Sequence, residues 1–181
     1  AYCQSLHPKG VFRNNRHPKV EQMKPNPATH TEMSKHLTQL SALCDSGFAL
    51  AIHIRLTRPS LLYQTYAPDW IDFYTEQGFM LSDPVVHWGL SNMGFVDWAE
   101  LSGQDPAGVL TAAKAHGLHN GLTYVAGSAT SRTLAGLTRS SAAFTAAERV
   151  EIARIIEAVH ALLDGFDALP AAEQDALRGL L

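Results

Sequence analysis

Residues 48–66 read FALAIHIRLTRPSLLYQTY, and the fold follows from how this stretch alternates. Phe48, Leu50, Ile52, Ile54 and Leu56 take turns with Ala49, Ala51, His53, Arg55 and Thr57, the period of a strand with one buried face. Arg58-Pro59-Ser60 makes a turn and Leu61 to Tyr66 returns, which predicts a hairpin ending on Tyr66. Cover for the apolar face lies downstream. Thr145-x-x-Glu148 is a capping box, and Ile152, Ile155, Ile156, Val159, Leu162, Leu163 and Phe166 then form the apolar stripe of a long helix that Gly165 should end. Two further strands are expected at Leu122–Ala126 and Thr133–Arg139, across a turn rich in Gly, Ser and Thr. Asp105-Pro106 reads as an N-cap with proline at the first helical position of an Ala-rich helix stopping at Gly117. Upstream, residues 33–43 (MSKHLTQLSAL) open a helical pattern through Leu37, Leu40 and Leu43. The expected architecture is α+β, an α-β-α sandwich with helices on both faces of the sheet.

Composition bounds the function. The chain has 181 residues, 46% of them hydrophobic, and a formal net charge of −3, which suits one globular domain and not a basic nucleic-acid binder. Cys3 and Cys44 are far apart, so a reduced, cytoplasmic protein is expected rather than a disulfide scaffold. No apolar run reaches membrane-spanning length and the N-terminus lacks a signal core, so no membrane partner is expected. Residues 1–32 read as an appended arm: residues 1–30 hold four of the nine prolines and few aliphatics. His7, His17 and His30 match no zinc-ligand spacing, and His116 and His119 straddle a stop glycine, so no metal is expected. Residues 33–168 form the domain, and 169–181 follow it.

The stretch from Tyr63 to Trp98 holds most of the aromatic residues. Tyr66, Trp70 and Tyr74 recur every four residues, after a Pro68 suited to a first helical turn and before Gly78, a stop. Asp83-Pro84 then pairs a capping acid with a proline at the first helical position, and Val85, Val86 and Trp88 add apolar surface. Rings with an OH or NH edge, plus one carboxylate, suit a small amphipathic guest. The same rings would also suit a plain core, with Asp83 no more than a helix cap.

The string Tyr66-x3-Trp70-x3-Tyr74-x8-Asp83-Pro84-x13-Trp98 resembles the autoinducer-binding domain of LuxR-type quorum-sensing regulators, with every spacing kept. The similarity continues through Gly117-Leu118 and Gly121-Leu122-Thr123 and covers roughly residues 37–167. The resemblance implies a central antiparallel sheet of about five strands and a guest that is an N-acyl-homoserine lactone, held without cofactor, metal or covalent chemistry. It assigns Trp70 as donor to the lactone carbonyl, Asp83 as acceptor of the amide N–H, and Tyr66 as donor to the acyl-side carbonyl. Thr138, in the last expected strand, falls near that same carbonyl, and Tyr74, Val85 and Trp98 form the apolar wall. It further implies a homodimer whose folding depends on the signal. An enzyme is not expected: Asp83 and His87 are one helical turn apart, but no serine elbow or H-x-H-x-D string accompanies them. Leu169, Glu173, Leu177, Arg178 and Leu180 resemble the opening helix of a LuxR-type helix-turn-helix, so DNA would be reached only through a domain that this chain does not contain. The alternative is a short-form module that pairs with a full-length receptor and inhibits it without ligand. Arg139, a charge in an expected strand, is assigned an outward-facing position.

Overall fold

The computed structural model describes residues 27–181. Five strands make one antiparallel sheet: β1 (Phe48–Ile54), β2 (Leu61–Gln64), β3 (Gly94–Asp97), β4 (Leu122–Ser128) and β5 (Ser131–Leu137), in the order β2-β1-β5-β4-β3. The α-helices among the described residues are α1 (Pro27–Leu43), α2 (Pro68–Glu76), α3 (Pro84–Ser91), α4 (Val109–Ala115), α5 (Ala146–Leu162) and α6 (Ala171–Arg178). Helices α1, α5 and α6 cover one face, and α2, α3 and α4 belong to the other, so the expected α+β sandwich forms.

The two faces differ in side-chain size. Toward α1 and α5 the sheet presents Phe48, Leu50, Ile52, Leu122 and Leu137, which meet Leu37, Leu40, Ile152, Ile155, Ile156 and Val159. None of these is more than 2% exposed, and each such side chain contributes about 1.5–3 kcal/mol on full burial, so this layer holds the fold together. The other face is shallow: Ala49, Gly136 and Thr123 sit side by side across β1, β5 and β4. Small side chains here leave depth for the aromatic rings above.

Several boundaries differ from expectation, each for a local reason. The alternation in β1 breaks at His53, where the register against β5 shifts between Ala51 and Ile54 and His53 takes φ +50°. A bulge inserts one residue and reverses the phase, so Leu56 is 95% exposed in the hairpin tip instead of buried. β5 ends at Leu137, so Thr138 and Arg139 lie beyond the strand assigned to them. Arg139 does not face outward: its guanidinium grips Glu148 at 2.6 and 3.1 Å, donates to the Ala142 and Ala143 carbonyls and lies 4.5 Å over the Phe144 ring. That contact, with the Thr145 N–H and hydroxyl of the expected capping box, pulls the Glu148 carboxyl down to about 2. Helix α4 begins at Val109 and not at Pro106, but Asp105 still caps it, accepting from the Val109 and Leu110 N–H groups at 2.8 and 2.9 Å. Helix α1 begins at Pro27, six positions before the start read from sequence; Cys3, His7 and His17 lie outside the described residues. Helix α6 packs on the domain itself, with Leu177 buried and its carbonyl accepting from Tyr63 OH at 2.5 Å.

Candidate functional site

Helix α2 starts at Pro68, and its four-residue spacing puts Trp70 and Tyr74 on one face. Trp70 is 5% exposed, with ring centroids of Tyr74 at 5.5 Å, His116 at 5.3 Å, and Phe73 and Phe79 at 6.4 Å. Tyr66, in the link from β2 to α2, joins the same cluster together with Trp98. Tyr66 reaches down to the sheet and donates its hydroxyl to the Gly136 carbonyl at 2.8 Å.

Helix α3 brings the carboxylate. Asp83 is its N-cap, with Oδ1 accepting from the Val85 N–H at 2.7 Å and Oδ2 from the Tyr74 hydroxyl at 2.9 Å. The cap and pocket readings of Asp83 are therefore compatible, because one oxygen serves the helix and the other faces the rings. Burial pushes the Asp83 carboxyl above its ordinary value, against the opposing pull of Tyr74 and the Val85 and Val86 N–H groups. Burial likewise raises the Tyr66 and Tyr74 phenols, with the Asp83 charge adding to both, so both remain donors across the working pH range.

A raised folded-state value means that ionised Asp83 opposes folding. Its contribution is favourable at low pH and is lost as pH rises through the folded-state value. Asp83→Asn keeps a capping side chain. It is expected to leave the ligand-free melting temperature at pH 7 unchanged or raised by about a degree or two, and to flatten its dependence as pH rises above the ordinary aspartate range, near 4. Thermal scans in which the variant melts several degrees lower would contradict this reading.

Of the seven expected residues, Tyr66, Trp70, Tyr74 and Trp98 share one cluster, Asp83 joins through Tyr74, and Val85 packs in an adjoining cluster that includes Trp98. Thr138 stands apart. It is fully buried, and its hydroxyl donates to the Gly47 carbonyl at 2.8 Å, which links it to the site through Gly47, beside the Tyr66 ring. A surface recess of about 400 Å³ opens beside the cluster, bounded by residues 45–47, Thr65, Ala67 and residues 116–118. Its walls flank Tyr66 and include His116, whose ring packs at a tilt against Trp70; Asp83, Val85 and Trp98 are not among them. Hydrogen bonding and ring geometry, rather than this opening, define the site.

Sequence reasoning missed the floor. The Trp98 indole N–H donates to Thr123 Oγ1 at 2.9 Å, and Trp98 lies flat against Gly121, where an added Cβ would come 2.0 Å from the ring. At Gly136 the nearest atoms to such a Cβ would be Tyr66 OH at 3.3 Å and Trp98 Cζ2 at 3.6 Å. Gly121 and Thr123 entered the sequence reading only as part of the family resemblance, with no place in the site. Gly121→Ala is expected to destabilise by about 1–3 kcal/mol through overpacking, measured by denaturant unfolding, and Gly136→Ala by clearly less. Equal stabilities in both variants would show that Trp98 is free to move.

No group of three or more His, Cys, Asp or Glu side chains among the described residues is placed to hold a metal ion. No helix among them is long and apolar enough to cross a membrane.

The site is thus an antiparallel sheet with a shallow face, roofed by aromatic helices that surround a capped carboxylate. Residues 32–164 match the autoinducer-binding domain family, and the chain belongs to it: it carries the signal-receptor domain of LuxR-type quorum-sensing transcription regulators. SdiA in complex with octanoyl-rac-glycerol is similar in fold, with 20% identity, a TM-score of 0.57, and coverage of 81% of this chain and 62% of that one. The solution structure of Escherichia coli SdiA residues 1–171 gives 22% identity and a TM-score of 0.55 over 76% of this chain and 84% of that one. CepR2 of Burkholderia cenocepacia, an N-acylhomoserine lactone-dependent LuxR-family factor, gives 15% and 0.53 over 84% of this chain and 99% of that one. No curated protein matches the sequence.

Proposed function

We propose that this chain binds an N-acyl-homoserine lactone non-covalently and couples occupancy to folding and dimerisation. The observation that carries the reading is the meeting of Trp70, Tyr66 and the Tyr74–Asp83 pair over one shallow stretch of sheet. These groups match the guest's polar atoms in number and kind. A lactone carbonyl takes the Trp70 indole N–H, the amide N–H takes Asp83 Oδ2, and the acyl carbonyl takes the Tyr66 hydroxyl in exchange for its bond to the Gly136 carbonyl. Tyr74, Val85 and Trp98 supply apolar wall, and Thr138 acts one shell out, through Gly47. A buried carboxylate accepting an amide N–H gives a charge-assisted hydrogen bond of about 1.5–3 kcal/mol, while an acceptor left without that donor costs about as much. Occupancy therefore favours the folded state. DNA would be engaged only by a further domain, with α6 as the connection.

The octanoyl-rac-glycerol bound by SdiA has an acyl ester and free hydroxyls where the lactone has an amide and a ring. The ligand class is settled by purifying the chain from cells supplied with a mixture of acyl-homoserine lactones and analysing the organic extract by mass spectrometry. An acyl lactone retained at near one per chain is the expected result. Retention of acylglycerol alone would replace the lactone by a neutral lipid, and retention of neither would favour the ligand-independent heterodimer partner.

A further inference from the structure

The bulge in β1 turns His53 toward α5, on the opposite side of the sheet from the Asp83 site. His53 is 3% exposed, and its ring lies 4.4 Å from that of His160 on α5. The two histidines are tied to the sheet by hydroxyls. His53 Nδ1 is 2.8 Å from Ser131 Oγ, and His160 Nδ1 is 2.8 Å from Thr133 Oγ1. Thr133 is fully buried and already accepts from the His53 backbone N–H at 3.3 Å. Thr133 Oγ1 thus ties the His53 backbone to the His160 ring, and it donates its O–H to Nδ1 when that ring is neutral with its proton on Nε2. On His53, Nε2 is buried with no hydrogen-bond partner. A second ring proton on either histidine is therefore costly: on His160 it would make the Thr133 O–H turn away from Nδ1, and on His53 it would leave one ring N–H pointing at no acceptor.

We propose that the His53–His160 pair is an acid-sensitive latch, which holds α5 on the bulged strand while both rings are neutral and loosens it when one is protonated. The ligand of this site is the proton, and the sensor domain thereby has a second chemical input besides the signal molecule. Counter-charges are too few to hide the added charge. Asp164, just past α5, is the carboxylate that acts on His160. Glu157, one turn before it, is engaged by the Tyr124 hydroxyl at 2.6 Å, and Asp167 by Ser60 and Arg55 from the hairpin. Arg132, on β5, sends its guanidinium to the Gly89 carbonyl of α3 and the Asn92 carbonyl just past it. Burial and the neighbouring His53 push the His160 imidazole below its ordinary value, with Asp164 opposing. A base whose folded-state value lies below its unfolded one takes its proton first in the unfolded chain. Stability is then complete above the ordinary histidine range, near 6.5, and falls as pH drops through it.

Thermal unfolding of the full chain between pH 7.5 and 5.5 tests the latch in an Asp83→Asn background, which removes the opposing pH dependence of Asp83, with His53→Gln and His160→Gln as the neutral replacements and His30→Gln, an exposed histidine on α1, as the control. Asp83→Asn alone and with His30→Gln is expected to lose about 3 °C or more over this range, and each latch variant less than half of that. An undiminished drop in both latch variants, or none in Asp83→Asn alone, overturns the proposal. Should the variants fail to fold, hydrogen exchange on wild type decides. Selective loss of protection at residues 152–163 and 48–54 on acidification supports the latch, and uniform loss across α1, α5 and the sheet overturns it.

Discussion

Trp70→Phe and Asp83→Asn are each expected to weaken acyl-homoserine lactone binding by about tenfold or more, because each removes a hydrogen bond from a buried site at a cost near 1.4 kcal/mol. The two substitutions keep the shape of the site. Phenylalanine retains an aromatic ring among Tyr74, Phe79 and His116 while losing the N–H, and asparagine retains the cap on Val85 while losing the charge. Calorimetry at neutral pH reads the effect directly. For Asp83→Asn the prediction is double-sided: affinity falls while ligand-free stability holds or rises, since a carboxylate pushed above its ordinary value by burial opposes folding until the amide N–H arrives. Unchanged affinity in both variants would remove the assigned pose.

The second large effect is on thermal stability. A ligand that binds only the folded chain stabilises it by RT ln(1 + [L]/Kd), about 2.7 kcal/mol at a hundredfold excess over Kd, or roughly 5–10 °C for a domain of this size. The shift should grow with lactone concentration and shrink in Asp83→Ala, which deprives both the guest and the Tyr74 hydroxyl of their acceptor. A fatty acid of equal chain length lacks the amide and the ring and should give much less. Octanoyl-glycerol is the informative third arm, since it offers an ester carbonyl to Tyr66 but no N–H to Asp83. Equal shifts from all three would mean that the site reads an apolar chain and nothing else.

Local rules carried much of the fold. Asp83-Pro84 opens a helix and Thr145-x-x-Glu148 opens another, because both signals depend on a few neighbouring atoms. Strand partners were legible as alternation, but the bulge at His53 was not, since an inserted residue is decided by pairing with β5 eighty positions away. For the same reason the phase beyond it was misread and Leu56 was assigned to the core. Arg139 was misplaced because its partners, Glu148 and the carbonyls before it, lie on the next helix and loop. Within the site, the spaced aromatics and the acid could be named from sequence because they repeat at helical intervals. Thr123, Gly121 and Gly136 could not, because a small residue under a ring leaves no pattern of its own. Their role emerges only when Trp98 is seen lying on them.

The chain has three tryptophans, so the central claim that Trp70 donates to the signal molecule can be read from indole N–H resonances. The measurement is a ¹⁵N–¹H titration with an acyl-homoserine lactone, the three resonances being assigned through single Trp→Phe variants. Trp98, already donating to Thr123, should move little, and Trp88, packed on Val125 and Leu134 and beside Val85 with no donor role in the assigned pose, should move less than Trp70. The account predicts a saturable downfield shift of the Trp70 indole proton, coincident with binding measured by calorimetry. Saturable binding that leaves the Trp70 resonance unmoved would contradict it.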